Sequence, residues 1–130
     1  MVKVNSFEDL EVWKRAVELT IKVYEIIHSC KDYGLKDQMQ RASVSIASNI
    51  AEGYDRQTNK EFVQFLYIAK GSCAELQTQL YISCRLKYIS ITHHETLNKE
   101  VNTISKMLYK LIQYRKSHDP RTPHPAPNLK

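Results

Sequence analysis

Paired glutamate and histidine residues are the first place to look for metal chemistry in this chain. Glu25 and His28 have the Glu-x-x-His spacing of di-iron helical bundles, which need a second copy of that motif and two further inward glutamates. The sequence contains no second copy. His93 and His94 are adjacent, so a helix would direct them to different faces. We therefore predict no metal site and no cofactor, with His28 an ordinary residue near a helix end.

The sequence also lacks the motifs for nucleophilic catalysis and for a phosphate-binding loop. No serine lies in a Gly-x-Ser-x-Gly turn, and only three glycines are available for a phosphate-binding loop. Cys30, Cys73 and Cys84 form no Cys-x-x-Cys pair. On one shared helix, Cys73 and Cys84 would lie about 16 Å apart, too far for a disulfide. We expect three buried free thiols in a reducing compartment and a protein that is not an enzyme.

Basic residues point instead to binding. The formal net charge is +5, and residues 115–130 carry three of these charges. The candidate phosphate-binding residues flank the second of four predicted helices, begin the third and follow the last turns of the fourth: Lys36, Arg41, Arg56, Lys60, Lys106, Lys110, Arg115 and Lys116. Weak attraction to polyanions is expected from such patches. The alternative is a solvated charged face that only maintains solubility.

Tyrosine is abundant, with eight residues against three phenylalanines. Tyr67, Tyr81, Tyr88, Tyr109 and Tyr114 could stack on nucleic-acid bases. Tyrosine also buries its ring at subunit interfaces while its hydroxyl stays hydrated. We favour the interface interpretation and keep stacking as the alternative.

Four amphipathic helices would position these residues. Apolar side chains recur at helical spacing up to about Cys30 and then over about 35–52, 59–87 and 92–116. The predicted core stripe of the first helix is Leu10, Trp13, Val17, Ile21, Tyr24 and Ile27. For the third helix it is Phe62, Phe65 or Leu66, Ala69, Cys73, Leu76 and Leu80, with Ser83 as a further candidate, and for the fourth it is Leu97, Val101, Ile104, Leu108, Leu111 and Ile112. Short connections predict an all-α, antiparallel up-down-up-down bundle over residues 1–117. All four prolines lie in residues 118–130, which predicts a flexible basic tail.

Glycines and caps set the expected helix boundaries. Gly34 is expected to end the first helix in the left-handed conformation, and Gly53 to stop the second. Gly71 lies inside the third helix, where we expect a close helix crossing. Thr58 and Thr92, each followed three residues later by Glu, predict capping boxes for helices three and four.

Residues 38–53, QMQRASVSIASNIAEG, have the most distinctive composition, with no charge between the arginine and glutamate near their ends. One helical stripe would be apolar: Met39, Ala42, Ile46 and Ile50. A parallel polar seam follows: Arg41, Ser45, Asn49 and Glu52, with Gly53 after it. The seam belongs either to a central packing helix whose polar groups satisfy each other, or to a contact site with Arg41 and Glu52 at its rim.

Three blocks of sequence, residues 6–16, 38–53 and 60–80, resemble the four-helix-bundle family of 23S rRNA intervening-sequence proteins. The resemblance implies a bacterial protein that assembles into a homopentameric ring and has no catalytic activity. A similar branch comprises accessory proteins of diversity-generating retroelements, which associate with reverse transcriptase and nucleic acid. The chain differs from many relatives at Gln40, where they have arginine, and at Ala47, where they have proline.

These observations predict a non-enzymatic homo-oligomer that binds RNA or a ribonucleoprotein through basic surfaces. The alternative function is a protein-binding scaffold, such as an accessory protein that docks a reverse transcriptase. We expect a cytoplasmic location and no membrane partner, because no apolar run reaches transmembrane length and no apolar signal region begins the chain.

Overall fold

The computed structural model describes residues 6–118 of the chain. These residues form four α-helices and contain no strands. After a 3₁₀ turn at Phe7–Asp9, the helices are α1 (Glu11–Ile26), α2 (Tyr33–Tyr54), α3 (Asn59–Arg85) and α4 (Ile91–Ser117). The predicted all-α class with four helices is confirmed. Apart from His118, the predicted tail over 118–130 lies outside the described residues, as do residues 1–5.

Polar side chains cap the starts of three helices. The side chains of Asp32, Thr58 and Ser90 each accept a hydrogen bond from the backbone N–H three residues further on, at 3.0–3.1 Å. These bonds satisfy N–H groups that have no partner inside the helix. Thr58 was predicted correctly. The prediction of Thr92 for α4 is wrong, because the helix starts at Ile91 and its cap is Ser90.

The end of α3 is closed by a left-handed residue, Lys87, with φ of 65°. The N–H of Tyr88 donates to the carbonyl of Ser83 at 2.8 Å, and the N–H of Lys87 donates to the carbonyl of Cys84 at 3.0 Å. This pattern is a Schellman motif, which usually places glycine at the left-handed position. The prediction for Gly34 is wrong: it lies in the first turn of α2, and no glycine within residues 6–118 has a positive φ.

Each helix packs against two of the others. Along α2 and α3 the contacts run in opposite numerical order, since Met39 meets Ser83 and Ser45 meets Ser72. Each remaining interface contains a hydrogen bond between helices. Arg15 of α1 bonds to Glu100 of α4, and Gln77 of α3 bonds to Asn98 of α4. Thr20 of α1 donates to the Ser43 carbonyl of α2.

The buried core follows the predicted stripes in α2, α3 and α4 but not in α1. The buried stripe of α1 is Val12, Ala16, Leu19, Val23 and Ile27. Leu10, Trp13 and Val17 are half-buried, while Ile21 and Tyr24 are exposed. The helix carries two apolar stripes, and the bundle buries the one with the smaller and more aliphatic side chains.

Two glycines occupy positions that contradict the predictions. Gly53 is buried inside α2 and does not stop the helix, which continues to Tyr54. Gly71 is exposed on α3, and a Cβ added there would have no neighbour within 4 Å. The expected close helix crossing therefore occurs at Gly53, where α2 approaches α3.

Candidate nucleic-acid interface

One end of the bundle gathers four of the predicted basic residues, which we call the basic end cluster: Arg56, Lys60, Arg115 and Lys116. Two of them lie over aromatic rings at the start of α3. The Arg56 guanidinium carbon is 4.7 Å from the centre of the Phe65 ring, and that of Arg115 is 4.8 Å from the centre of the Phe62 ring. Such cation–π contacts hold a guanidinium in place without neutralising its charge.

The C-terminal turns of α4 bring the other side of the cluster into place. The side-chain amide of Asn59 donates a hydrogen bond to the Arg115 carbonyl, which joins α4 to the first turn of α3. Lys116 follows, with its Nζ 5.9 Å from the centre of the Tyr67 ring. Lys60 is exposed in the same first turn as Asn59. The cluster therefore depends on the packing of α3 against α4.

The charges in the cluster differ in how far they are neutralised. Arg56 forms an ion pair with Glu52 at 2.8 Å, one turn earlier on α2. Within residues 6–118, Lys60 and Lys116 form no ion pair. These two exposed ammonium groups, together with Arg115, are the charges of the cluster that remain available to a phosphate.

The other predicted basic residues lie elsewhere. Lys36 donates to the carbonyl of His28 at 2.8 Å, and Arg41 forms an ion pair with Asp37 at 2.8 Å. Lys36 lies eighteen residues before Tyr54, the last residue of α2, so it is about 27 Å from the end of the helix that precedes Arg56, at 1.5 Å per residue. The eight predicted residues therefore do not form one site.

The predicted basic ribbon along α4 is also divided. Lys106 and Lys110 are exposed and one turn apart, so they share the outer face of the helix. Arg115 instead turns toward α3 and is half-buried, with its Nε buried and without a hydrogen-bond partner inside the protein. Sequence spacing placed these residues on one helix but could not show that the ring of Phe62 draws Arg115 inward.

The polar seam of α2 forms a chain of hydrogen bonds. The Asn49 amide donates to the Ser45 hydroxyl at 2.9 Å, which pairs with the Ser72 hydroxyl of α3 at 2.8 Å. Ser72 donates in turn to the carbonyl of Ile68 at 3.2 Å. Arg41 and Glu52 are each paired within α2. This geometry supports the interpretation of the seam as a packing element whose polar groups satisfy each other.

A second surface is apolar, and five of its six residues were predicted to belong to the core stripe of α1. We call it the outer α1–α2 face: Leu10, Trp13, Val17, Ile21, Tyr24 and Val44. Trp13 is half-buried, and its ring meets that of Phe7 edge-on at 5.4 Å. Ile21 is 47% exposed, and Tyr24 and Val44 line a shallow depression of about 440 Å³. Exposed large apolar side chains grouped in this way mark an interaction surface.

The thiols are not equivalent. Cys30 and Cys73 are buried as predicted, whereas Cys84 is only half-buried, which corrects the prediction for that residue. Burial raises the pKa of the Cys73 thiol from 9.0 to about 12, with Lys70 opposing the shift. Among residues 6–118, no three His, Cys, Asp or Glu side chains group closely enough to hold a metal ion. In the same range, no helix is both long and apolar enough to span a membrane.

Comparison with known proteins identifies a family and a solved structure with a similar fold. A family model described as 23S rRNA-intervening sequence protein matches residues 8–110. Among solved structures, the chain is similar to a protein of unknown function from the S23 ribosomal protein family of Bacteroides thetaiotaomicron VPI-5482, determined at 1.70 Å resolution. That likeness has a TM-score of 0.75 at 24% identity and covers 78% of this chain and 98% of the other, which shows a shared fold. No curated protein matches the chain.

Proposed function

The chain belongs to the family of 23S rRNA-intervening sequence proteins, and from this premise we propose that it is a non-enzymatic protein that binds RNA or a ribonucleoprotein. In this proposal the antiparallel up-down-up-down bundle assembles into a homopentamer in the cytoplasm. Its basic surfaces hold phosphates without reading base sequence, because backbone contacts position a protein but carry no sequence information.

The observation that carries the proposal is the basic end cluster. Lys60 and Lys116 are exposed and form no ion pair within the described residues, and Arg115 is fixed over Phe62. Because Arg115 is already held in place, it loses little side-chain entropy when it meets a phosphate, which favours binding.

Self-association is supported by the outer α1–α2 face. Ile21, Tyr24 and Val44 are exposed in a single chain and the other three residues are half-buried, so a second copy would remove further apolar surface from water. A ring would also repeat the basic end cluster in each subunit, and several weak phosphate contacts on one RNA combine into a much higher overall affinity.

Binding of a structured RNA across a salt series tests the proposal. Each phosphate contact releases counterions, so affinity falls steeply as salt rises. We expect the double variant Lys60→Ala/Lys116→Ala to flatten the slope of log K against log salt by about 0.7–0.9 per lost contact. The matched control is Lys22→Ala/Lys99→Ala, which removes the same charge from exposed lysines outside the cluster and should leave the slope nearly unchanged.

Two results would count against RNA binding. Equal slopes for the two double variants would show that only net charge matters. Absence of RNA binding near physiological salt, with tight and salt-insensitive binding to a protein such as a reverse transcriptase, would support the scaffold function instead.

A further inference from the structure

The outer surface along the contact between α3 and α4 combines aromatic, amide and basic side chains. On α3, Tyr67, Lys70, Gln77 and Tyr81 recur at steps of three, four or seven residues and therefore share one face. On α4, the matching stripe repeats every seven residues: Asn102, Tyr109 and Lys116. The hydrogen bond from Gln77 to Asn102, at 2.7 Å, brings the two stripes together. We call this surface the α3–α4 groove.

The tyrosines of the groove are about half exposed, with Lys116 5.9 Å from the centre of the Tyr67 ring and Arg85 5.8 Å from the centre of the Tyr81 ring. Tyr67, Tyr81 and Tyr109 are 48%, 53% and 54% exposed. Arg85 donates to the Tyr81 hydroxyl at 3.1 Å, and the ring of His94 meets the Tyr81 ring at 6.2 Å. Tyr81 is therefore oriented by two neighbours while half of its surface stays accessible, as stacking on a base requires.

The amides at the middle of the groove are positioned to meet base edges. Gln77 uses its amide nitrogen to donate to Asn98 at 3.2 Å and to Asn102. Within the described residues, the Gln77 side-chain oxygen and the amide nitrogens of both asparagines form no hydrogen bond. This leaves one acceptor and two donor groups of the kind that hydrogen-bond to exposed base edges.

The charge of the groove suits a nucleic-acid backbone. Lys70, Arg85 and Lys116 lie along the two stripes, and Lys106 lies beside them on α4. Glu95 extends the α4 stripe by one heptad before Asn102, in the second turn of that helix, so an acidic side chain lies at one end of the groove. A largely cationic groove with interleaved aromatic rings fits a single strand, whose bases are free to stack.

We propose that the α3–α4 groove binds an unpaired RNA strand by stacking bases on Tyr67, Tyr81 and Tyr109. This inference rests on the proposed function and specifies which form of RNA the protein binds. Tyr67 and Tyr81 are separated by about 21 Å along α3 at 1.5 Å per residue, a distance that only a strand of several nucleotides can span. Bases in a duplex are already stacked on one another and cannot reach these rings.

The test compares an unstructured oligoadenylate of about 12 nucleotides with an RNA duplex of the same length. We expect Tyr67→Ala, Tyr81→Ala and Tyr109→Ala each to weaken oligoadenylate binding about tenfold and duplex binding less than about twofold. The three Tyr→Phe variants keep the ring and should bind as the unmodified protein does. Tyr33→Ala is the matched control, because Tyr33 is exposed at the start of α2, away from the groove.

Fluorescence of 2-aminopurine placed in the strand gives a second readout, since stacking on a tyrosine quenches it and a purely electrostatic contact does not. Thermal unfolding of every variant checks that each remains folded. Equal losses for both RNAs, no loss in the alanine variants, or no binding of the oligoadenylate would overturn the inference. Lys116 belongs to both surfaces, so the readout separates the two proposals. The tyrosine variants leave every charge in place and should keep the salt slope, whereas failure of the proposed function abolishes binding of both RNAs.

Discussion

Gly53 of α2 faces Phe65 of α3 so closely that a Cβ on Gly53 would lie 2.5 Å from the Cβ of Phe65. The same atom would lie 3.0 Å from Cδ1 of Phe62. Neither contact involves the end of a flexible side chain, so relief would require the two helices to separate. Glycine therefore allows α2 and α3 to approach each other at the end of the bundle where Phe62 and Phe65 support Arg115 and Arg56.

The first prediction compares Gly53→Ala with Gly71→Ala. Both changes remove a helical glycine, which favours the helix by about 1 kcal/mol. Gly71 has open space and should show that gain, whereas overpacking at Gly53 costs about 1–3 kcal/mol. Urea unfolding at one protein concentration measures the difference in unfolding free energy. Equal stability of the two variants would show that the Gly53 contact is not tight.

The sequence predicted the core of three helices but chose the wrong face of α1. Both stripes of α1 recur at helical spacing, and the one that contains Trp13 and Ile21 has the larger side chains. Periodicity detects an apolar face without revealing whether a helix of the same chain or another molecule covers it. An apolar stripe beyond those needed for the core of one chain therefore makes that helix face a candidate interaction surface.

The candidate site was predicted less completely than the fold. Exposure of Lys60, Lys106, Lys110 and Lys116 follows from their positions on helix faces. The inward turn of Arg115 does not, because it depends on the ring of Phe62, which is 53 residues away in sequence. Long-range contacts of this kind leave no periodic pattern, and without them the basic residues could not be divided into separate groups.

A second prediction concerns the left-handed residue at the end of α3. A residue with a Cβ at φ of 65° destabilises the folded state by about 1–2 kcal/mol relative to glycine. Glycine also gives the unfolded chain more conformational entropy, which offsets part of this difference. Lys87→Gly should therefore raise the unfolding free energy by up to about 1 kcal/mol. Lys87→Ala keeps the Cβ and removes the charge, so no gain is expected. A similar gain in both variants would attribute the effect to charge.

A third prediction concerns the hydrogen-bond chain through Ser45 and Ser72. Replacing either serine by alanine should cost about 1 kcal/mol, the usual net value of a hydrogen bond. Because the two changes remove the same bond, the double variant should be more stable than the sum of the single losses predicts. Denaturant unfolding of the four proteins completes the cycle. Strict additivity would show that the 2.8 Å contact contributes nothing.

A fourth prediction follows from the raised pKa of Cys73. Burial lifts this pKa from 9.0 to about 12 in the folded protein. The stabilisation from keeping the thiol neutral is complete below pH 9 and is lost as pH rises from 9 toward 12, because the unfolded chain ionises first. The loss at pH 10 should be about 1.4 kcal/mol. Cys73→Ala lacks this contribution, so the stability difference between the two proteins should narrow above pH 9; a constant difference would contradict the assignment.

A fifth prediction tests the outer α1–α2 face as the contact between copies. Ile21 is 47% exposed in the single chain, so Ile21→Asp should change the stability of the monomer by less than about 0.5 kcal/mol. In an assembled interface the same carboxylate would be buried without a partner at a cost of several kcal/mol, and the oligomer should dissociate. Light scattering after size-exclusion chromatography measures the mass.

Ile68→Asp, at a side chain that is 51% exposed on α3, is the matched control and should remain assembled. Dissociation of both variants alike would place the interface elsewhere, and a monomeric unmodified protein would leave RNA binding to the basic end cluster of a single chain.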